Sequence, residues 1–172
     1  MPDPRAVLDA LLRLTDQGGL VLVAIFVVSL FMWTLILERY LYLQHRYPRE
    51  LERRLEAWRQ RRDHSSWHAQ RIREGLIAEL AVSLRSWLRT IETLTAILPL
   101  LGLLGTVIGM IATFEVMKIF GTGNARGLAS GISTALITTT AGLVTSISGL
   151  YFSANLNHRA EIEVNKARDM LQ

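Results

Sequence analysis

A chain of 172 residues is long enough for one soluble domain, yet half of its residues are hydrophobic and they gather into three long uncharged runs, which excludes an ordinary water-soluble fold. The absence of cysteine excludes a disulfide framework and any thiolate metal site. The net charge of +4, from 19 Lys and Arg against 15 Asp and Glu, would suit nucleic acid, but the placement of those charges argues for a membrane topology instead.

Residues 1–19 mix Arg5 and Arg13 with Asp3, Asp9 and Asp16. Val7, Leu8, Leu11, Leu12 and Leu14 give the segment one apolar face, as expected of a short helix lying in the headgroup layer. It lacks the basic start, short apolar centre and small-residue cleavage site of a secretory signal, so no processing is expected. Residues 20–37 are eighteen uncharged positions, enough for a first membrane span, with Trp33 and Tyr40 near its end where aromatic rings favour the interface.

Residues 38–92 form a polar region of 55 residues that holds 12 of the 19 basic side chains. Short loops rich in Lys and Arg stay on the cytoplasmic side, which orients the chain with its N-terminus in the periplasm and its C-terminus in the cytoplasm. Between Tyr47 and Arg62, glutamates and arginines alternate at helical spacing, Glu50 with Arg53 and Arg54 for example. Asp63, His64, Ser65 and Ser66 supply turn and N-cap chemistry. Ile72, Leu76, Leu80, Leu84, Trp87, Leu88 and Ile91 then make an amphipathic stripe leading into the next span, so a helical hairpin below the membrane is predicted. Trp58, Trp67 and Trp87 among arginines would fit nucleic acid, but the interleaved acids and the topology already explain the charge, and no nucleic-acid partner is expected. His64 and His68 stand at i and i+4, yet no cysteine or third nearby histidine completes a metal site. Neither a Ser/His/Asp set nor a phosphate-binding glycine loop is present, so the chain is read as a non-enzyme without cofactor or metal.

Residues 93–114 are twenty-two uncharged positions, about 33 Å of helix, and read as the second span. Thr95, Pro99, Gly102, Thr106, Gly109 and Thr113 recur at spacings of 4, 3, 4, 3 and 4, a single stripe of small or hydroxylated residues, while Leu100, Leu103, Leu104, Val107, Ile108 and Ile111 cover the other sides. Residues 115–126 connect to the third span through Glu115, Lys118 and Arg126, with Gly121, Gly123 and Asn124 marking the turn. Glu115 is the most membrane-proximal acid there, suited either to collecting cations at the periplasmic mouth or to anchoring beside Lys118. Residues 127–154 are the third span, inside an uncharged run that reaches Asn157. Ser130, Thr134, Thr138, Ala141, Thr145 and Ser148 repeat the hydroxyl stripe, and Gly142, Ser146 and Gly149 make a small face beside it. The charged tail 155–172 continues the helical pattern toward the cytoplasm.

Such stripes have two explanations. Small residues let membrane helices approach, and a Ser or Thr hydroxyl is satisfied by the carbonyl of residue i−4, so packing alone accounts for any single threonine. Three consecutive threonines, Thr138 to Thr140, favour a polar-lined interior for the set as a whole.

LLGLLGTVIGMIATF over residues 100–114, followed by GISTALITTTAGL over 131–143, resembles the paired span signatures of the ExbB/TolQ/MotA proton-channel family, most nearly a short ExbB-type subunit. The resemblance covers residues 33 to about 159. It implies an all-α membrane protein of three spans with long cytoplasmic helical extensions, assembled as a ring-forming homo-oligomer, a homopentamer, in the bacterial inner membrane. It further implies a dimeric ExbD-like single-span partner inside the ring and a TonB-like protein as the output. By the same resemblance Thr106 and Thr139 occupy the proton-relevant positions, while the stripes themselves put Thr134, Thr138, Thr113 and Thr145 on the side expected to face the ion pathway or partner. Gly102, Gly105, Gly109, Gly142 and Gly149 serve helix packing. One departure matters: where many relatives carry an acid, this chain has Thr134, so it offers hydroxyls but no carboxylate at membrane depth. A TolQ-like or MotA-like stator subunit and a passive scaffold are the alternatives, the stator disfavoured by three spans instead of four. Hydroxyl and carbonyl oxygens suit sodium as well as protons.

Overall fold

The structure, a computed structural model, describes residues 4–61, 63, 66–121 and 125–171, with side chains from residue 19 onward. The apolar face expected on Val7 to Leu14, the residues His64 and Ser65, and the turn at Gly123 and Asn124 lie outside what it describes. Among the described residues all regular structure is helical: α1 Pro4–Leu41, a π turn Tyr42–Arg46, α2 Tyr47–Arg59, α3 Trp67–Arg85, α4 Leu88–Phe120 and α5 Ala125–Met170. Three of these helical stretches are long and apolar enough to cross a membrane.

Local chemistry sets the interruptions. Gly19 breaks α1 with φ 64 and ψ −167, a conformation open to glycine and costly for other residues. Pro48 lacks the N–H that an α-helix would aim at the Gln44 carbonyl, and its ring would strike that carbonyl. The wider turn at 42–46, in which the Tyr47 amide donates to the Tyr42 carbonyl, clears both problems. Between α3 and α4, Trp87 adopts φ 63 and its side chain is exposed, so it leaves the apolar stripe that helical spacing assigned to it. Leu80, Leu84, Leu88 and Ile91 of that stripe are buried.

The chain divides into two compact units, Met1–Met32 with Thr93–Leu150, and Trp33–Glu92 with Tyr151–Gln172. In the first, Met32 and Thr95 meet through a 3.4 Å contact from the Thr95 hydroxyl to the Met32 sulfur. Large apolar side chains point outward all round it, Phe26, Leu30, Leu103, Val107, Leu136 and Val144 among them, the surface that a hydrocarbon surrounding accommodates without cost.

The second unit has a conventional buried stripe. Leu156, Ala160, Val164 and Ala167 of α5, with Leu171 just past its end, are buried at i, i+4, i+8, i+11 and i+15, and Tyr47, Leu51, Leu55 and Trp58 of α2 repeat the spacing. Polar contacts tie the helices together at points. Arg54 bridges Glu50 at 2.7 Å and Glu79 at 2.8 Å, joining α2 to α3. Buried Arg39 donates to the Ser83 carbonyl at 3.2 Å while pairing with Glu38 at 2.8 Å. The Ser66 side chain caps α3 by accepting from the Ala69 amide at 3.2 Å, and Asp63 accepts from the Ser66 amide at 3.0 Å. The Tyr47 hydroxyl donates to the Glu163 carbonyl at 3.2 Å, and burial, reinforced by the negative Glu163, pushes the Tyr47 phenol up from 10.0 to about 12.

Candidate functional site

The small residues of α4 and α5 are used against each other. A Cβ added at Gly102 would stand 3.2 Å from the Thr139 Cα, one at Gly109 would stand 2.8 Å from the Ala135 Cβ, and one at Gly142 would stand 2.7 Å from the Leu98 carbonyl oxygen. At Gly105 the obstacle is the Thr138 side chain, and at Gly149 it is the Met32 sulfur at 2.6 Å. At Gly109 and Gly142 the two helices therefore approach so closely that an added Cβ would force something to shift, at Gly102 they leave little room for one, and Gly149 does the same against α1.

Within that contact the hydroxyls are satisfied by backbone. Thr113 donates to the Gly109 carbonyl at 2.9 Å, Thr138 to those of Thr134 and Ala135 at 3.0 and 2.9 Å, and Thr145 to that of Ala141 at 2.8 Å. Thr113 and Thr138 are buried by the opposing helix of the same chain, while Thr106, Thr134, Thr139 and Thr145 are half-buried at its margins. Hydroxyls also cross from α5 to α4. Thr139 donates to the Gly102 carbonyl at 3.0 Å, and Ser146 donates to the Thr95 carbonyl at 2.9 Å. Thr106, one turn along α4 from Gly102, donates its proton to the Leu103 carbonyl at 2.6 Å.

The site is thus a row of oxygens without a titrating group. No formal charge occurs between Glu92 and Glu115 on α4, or between Arg126 and Arg159 on α5. Glu115 itself is exposed and lies about two and a half turns along α4 from Thr106. Among the described residues no group of three His, Cys, Asp or Glu is placed to hold a metal. What the arrangement offers is a row of hydroxyl oxygens within the uncharged runs, each with its proton given to a backbone carbonyl.

Sequence reasoning assigned no role to Gly131 and left Ser146 among packing residues. Gly131, Ala135 and Thr138 follow one another at spacings of 4 and 3, a continuation of the small face at Gly142 that periodicity alone reveals. The Ser146 bond to α4 has no such signal, because its partner is a carbonyl.

The sequence model of the MotA/TolQ/ExbB proton channel family matches residues 44–169. Among curated proteins, ExbB-like 1 of Synechocystis sp. is 51% identical over 65 residues, covering 36% of this chain and 26% of that protein. ExbB-like 3 of the same organism is 44% identical over 64 residues, 36% of this chain and 30% of its own length. An ExbB homolog of Methanothermobacter thermautotrophicus is 35% identical over 79 residues, 46% and 28% of the two chains. All three are named for biopolymer transport, and the matched segment spans less than a third of each. No solved structure matches the chain.

Proposed function

This chain belongs to the MotA/TolQ/ExbB proton channel family, and on that premise we propose that it is an ExbB-like subunit through which the proton-motive force of the inner membrane energises TonB-dependent transport across the outer membrane. In this reading several copies, five by family resemblance, form a ring around an ExbD-like single-span partner. The N-terminus faces the periplasm and the polar helices hang in the cytoplasm.

The observation that carries the reading is the direction of two hydrogen bonds. Thr139 and Thr106 both give their only proton to a backbone carbonyl, Gly102 and Leu103 respectively. Each hydroxyl therefore has lone pairs left and nothing more to donate. A protonated carboxyl on a partner helix can donate to them, whereas an ionised carboxylate finds no donor there unless those bonds break. The site thus distinguishes the loaded from the unloaded partner, which is what coupling proton passage to movement requires. One charge crossing 100 mV is worth about 2.3 kcal/mol, so a few protons supply enough to shift the partner against the ring and pull on a TonB-like protein.

Thr106→Val and Thr139→Val remove these oxygens and nearly preserve shape. The expected result is normal assembly with the partner and loss of energised uptake; wild-type uptake in the double variant refutes the reading. The mutual occupation of the α4 and α5 glycines favours one competing view, a passive scaffold, which predicts no threonine-dependent proton flux in proteoliposomes containing the partner.

A further inference from the structure

Within the second unit, a groove opens between α1 and α5 where the uncharged stretches of both helices end. On α1 the exposed Leu37 is followed by Glu38 and Arg39, and on α5 the uncharged run that exposes Tyr151 stops at Asn157, before His158 and Arg159. The Tyr40 hydroxyl donates to Asn155 Oδ1 at 3.0 Å, so the two boundaries lie side by side. In a chain that spans a membrane, such a boundary meets the headgroup layer. Tyr40, Leu43 and Gln44 line one side of the groove and Arg159, Ile162 and Lys166 the other, around about 560 Å³. Phe152 braces the walls, edge-on to Trp33 at 5.1 Å and to Tyr40 at 6.4 Å between ring centres. Asn157 Nδ2 donates to Glu92 Oε1 at 2.6 Å, which ties α5 to α4 at the same level.

The groove presents donors that the described residues do not use. The Arg159 guanidinium is set 5.3 Å from the ring centre of Tyr40, and among the described residues no carboxylate pairs with it. Glu163, an acid in the same lining, is held by Lys166 at 2.6 Å, which leaves two ammonium hydrogens unused and the described lining with one positive charge in excess. Arg159 and Lys166 are seven residues apart, about 10 Å along α5, with the exposed Ile162 between them.

We propose that this groove holds the headgroup of an anionic phospholipid. The phosphodiester sits on Arg159 and within reach of the Gln44 amide, the rest of the headgroup extends toward Lys166, and Leu43 and Ile162 give its carbon part an apolar floor. The acyl chains leave past the uncharged ends of the two helices. A lipid fits better than a free phosphate because the basic cleft lies at the edge of the apolar surface, where phosphodiesters are concentrated and fixed in depth. The inference goes beyond the proton-channel reading and does not rest on it.

The test is lipid binding to the full chain in mild detergent, titrated with phosphatidylglycerol or with phosphatidylcholine and read by native mass spectrometry. The wild type should retain phosphatidylglycerol in preference to phosphatidylcholine. Arg159→Gln should weaken phosphatidylglycerol binding about fivefold and leave phosphatidylcholine unchanged, and Lys166→Gln should do the same to a smaller extent. Arg159→Lys keeps the charge and should retain most of the affinity. Arg53→Gln is the control, an exposed arginine on α2 outside the groove, and should change nothing. Equal retention of the two lipids by the wild type overturns the proposal and needs no variant. An equal loss in Arg53→Gln and Arg159→Gln also overturns it, since that marks diffuse attraction to the basic unit. Displacement of phosphatidylglycerol by millimolar inorganic phosphate, with phosphatidylcholine unaffected, assigns the groove to free phosphate instead.

Discussion

Replacing Gly142 by alanine tests the geometry on which the site depends. The new Cβ would stand 2.7 Å from the Leu98 carbonyl oxygen and 3.1 Å from the Gly102 Cα, against about 3.5 Å or more for an unstrained contact. Both neighbours are backbone, so no side chain can rotate away, and α4 and α5 must separate by about 0.5 Å or more. Overpacking of this kind costs about 1–3 kcal/mol, and the better helix propensity of alanine offsets up to about 1 kcal/mol of it, leaving a net loss of about 1–2 kcal/mol. Gly75→Ala is the internal control: it lies inside α3 with nothing within 4 Å of the added atom, so only the propensity term acts and a gain of about 0.5–1 kcal/mol is expected. Thermal unfolding in detergent, followed by tryptophan fluorescence, should move down by about 2–6 °C for Gly142→Ala and up by about 1–4 °C for Gly75→Ala. The separation would also stretch the 3.0 Å bond from Thr139 to Gly102, so proton flux should fall in the first variant and not in the second. If Gly142→Ala unfolds at or above the wild-type temperature, the helices do not approach as described and the argument about the threonines fails with it.

Other outcomes follow from the second unit. Because the Tyr47 phenol is pushed up from 10.0 to about 12 in the folded chain, unfolded molecules lose that proton first as pH rises, so stability is full below pH 10 and falls between pH 10 and about 12. The loss should be on the order of 2 kcal/mol, and Tyr47→Phe should flatten the dependence in alkaline melting curves. Ser66→Ala removes the cap of α3 and should cost about 1 kcal/mol, visible as faster amide exchange over residues 67–70. Arg39→Ala leaves the Ser83 carbonyl without its buried partner and should cost about 1.5–3 kcal/mol in chemical denaturation.

The membrane helices were legible in the sequence because stretches of 18, 22 and 31 residues without a charge leave few other structures open. The family motif was legible because its glycines and threonines are spaced by helical turns. What could not be read was the partner of each small face. Gly102, Gly109 and Thr138 have the same spacing whether they meet another subunit or the neighbouring helix of their own chain, and here they meet the latter. Trp87 was misplaced for a related reason: periodicity counts residues and does not register a backbone that turns to φ 63. The amide grip of Asn157 on Glu92 joins residues 65 positions apart, and no local pattern announces it.

The π turn at Tyr42–Arg46 bears on how chain length can vary here. Buried Arg39 and Tyr47 are eight residues apart, which in an unbroken α-helix would rotate one roughly 80° from the other. The wide turn absorbs the surplus residue and keeps both on the inward side. Deleting one residue between 42 and 46, together with replacing Pro48, would leave a seven-residue interval that an ordinary α-helix aligns to within about 20°. The same deletion inside α2 would swing Leu51, Leu55 and Trp58 toward water. Insertions and deletions in homologous chains should therefore be tolerated at this turn and purged from the helix that follows it.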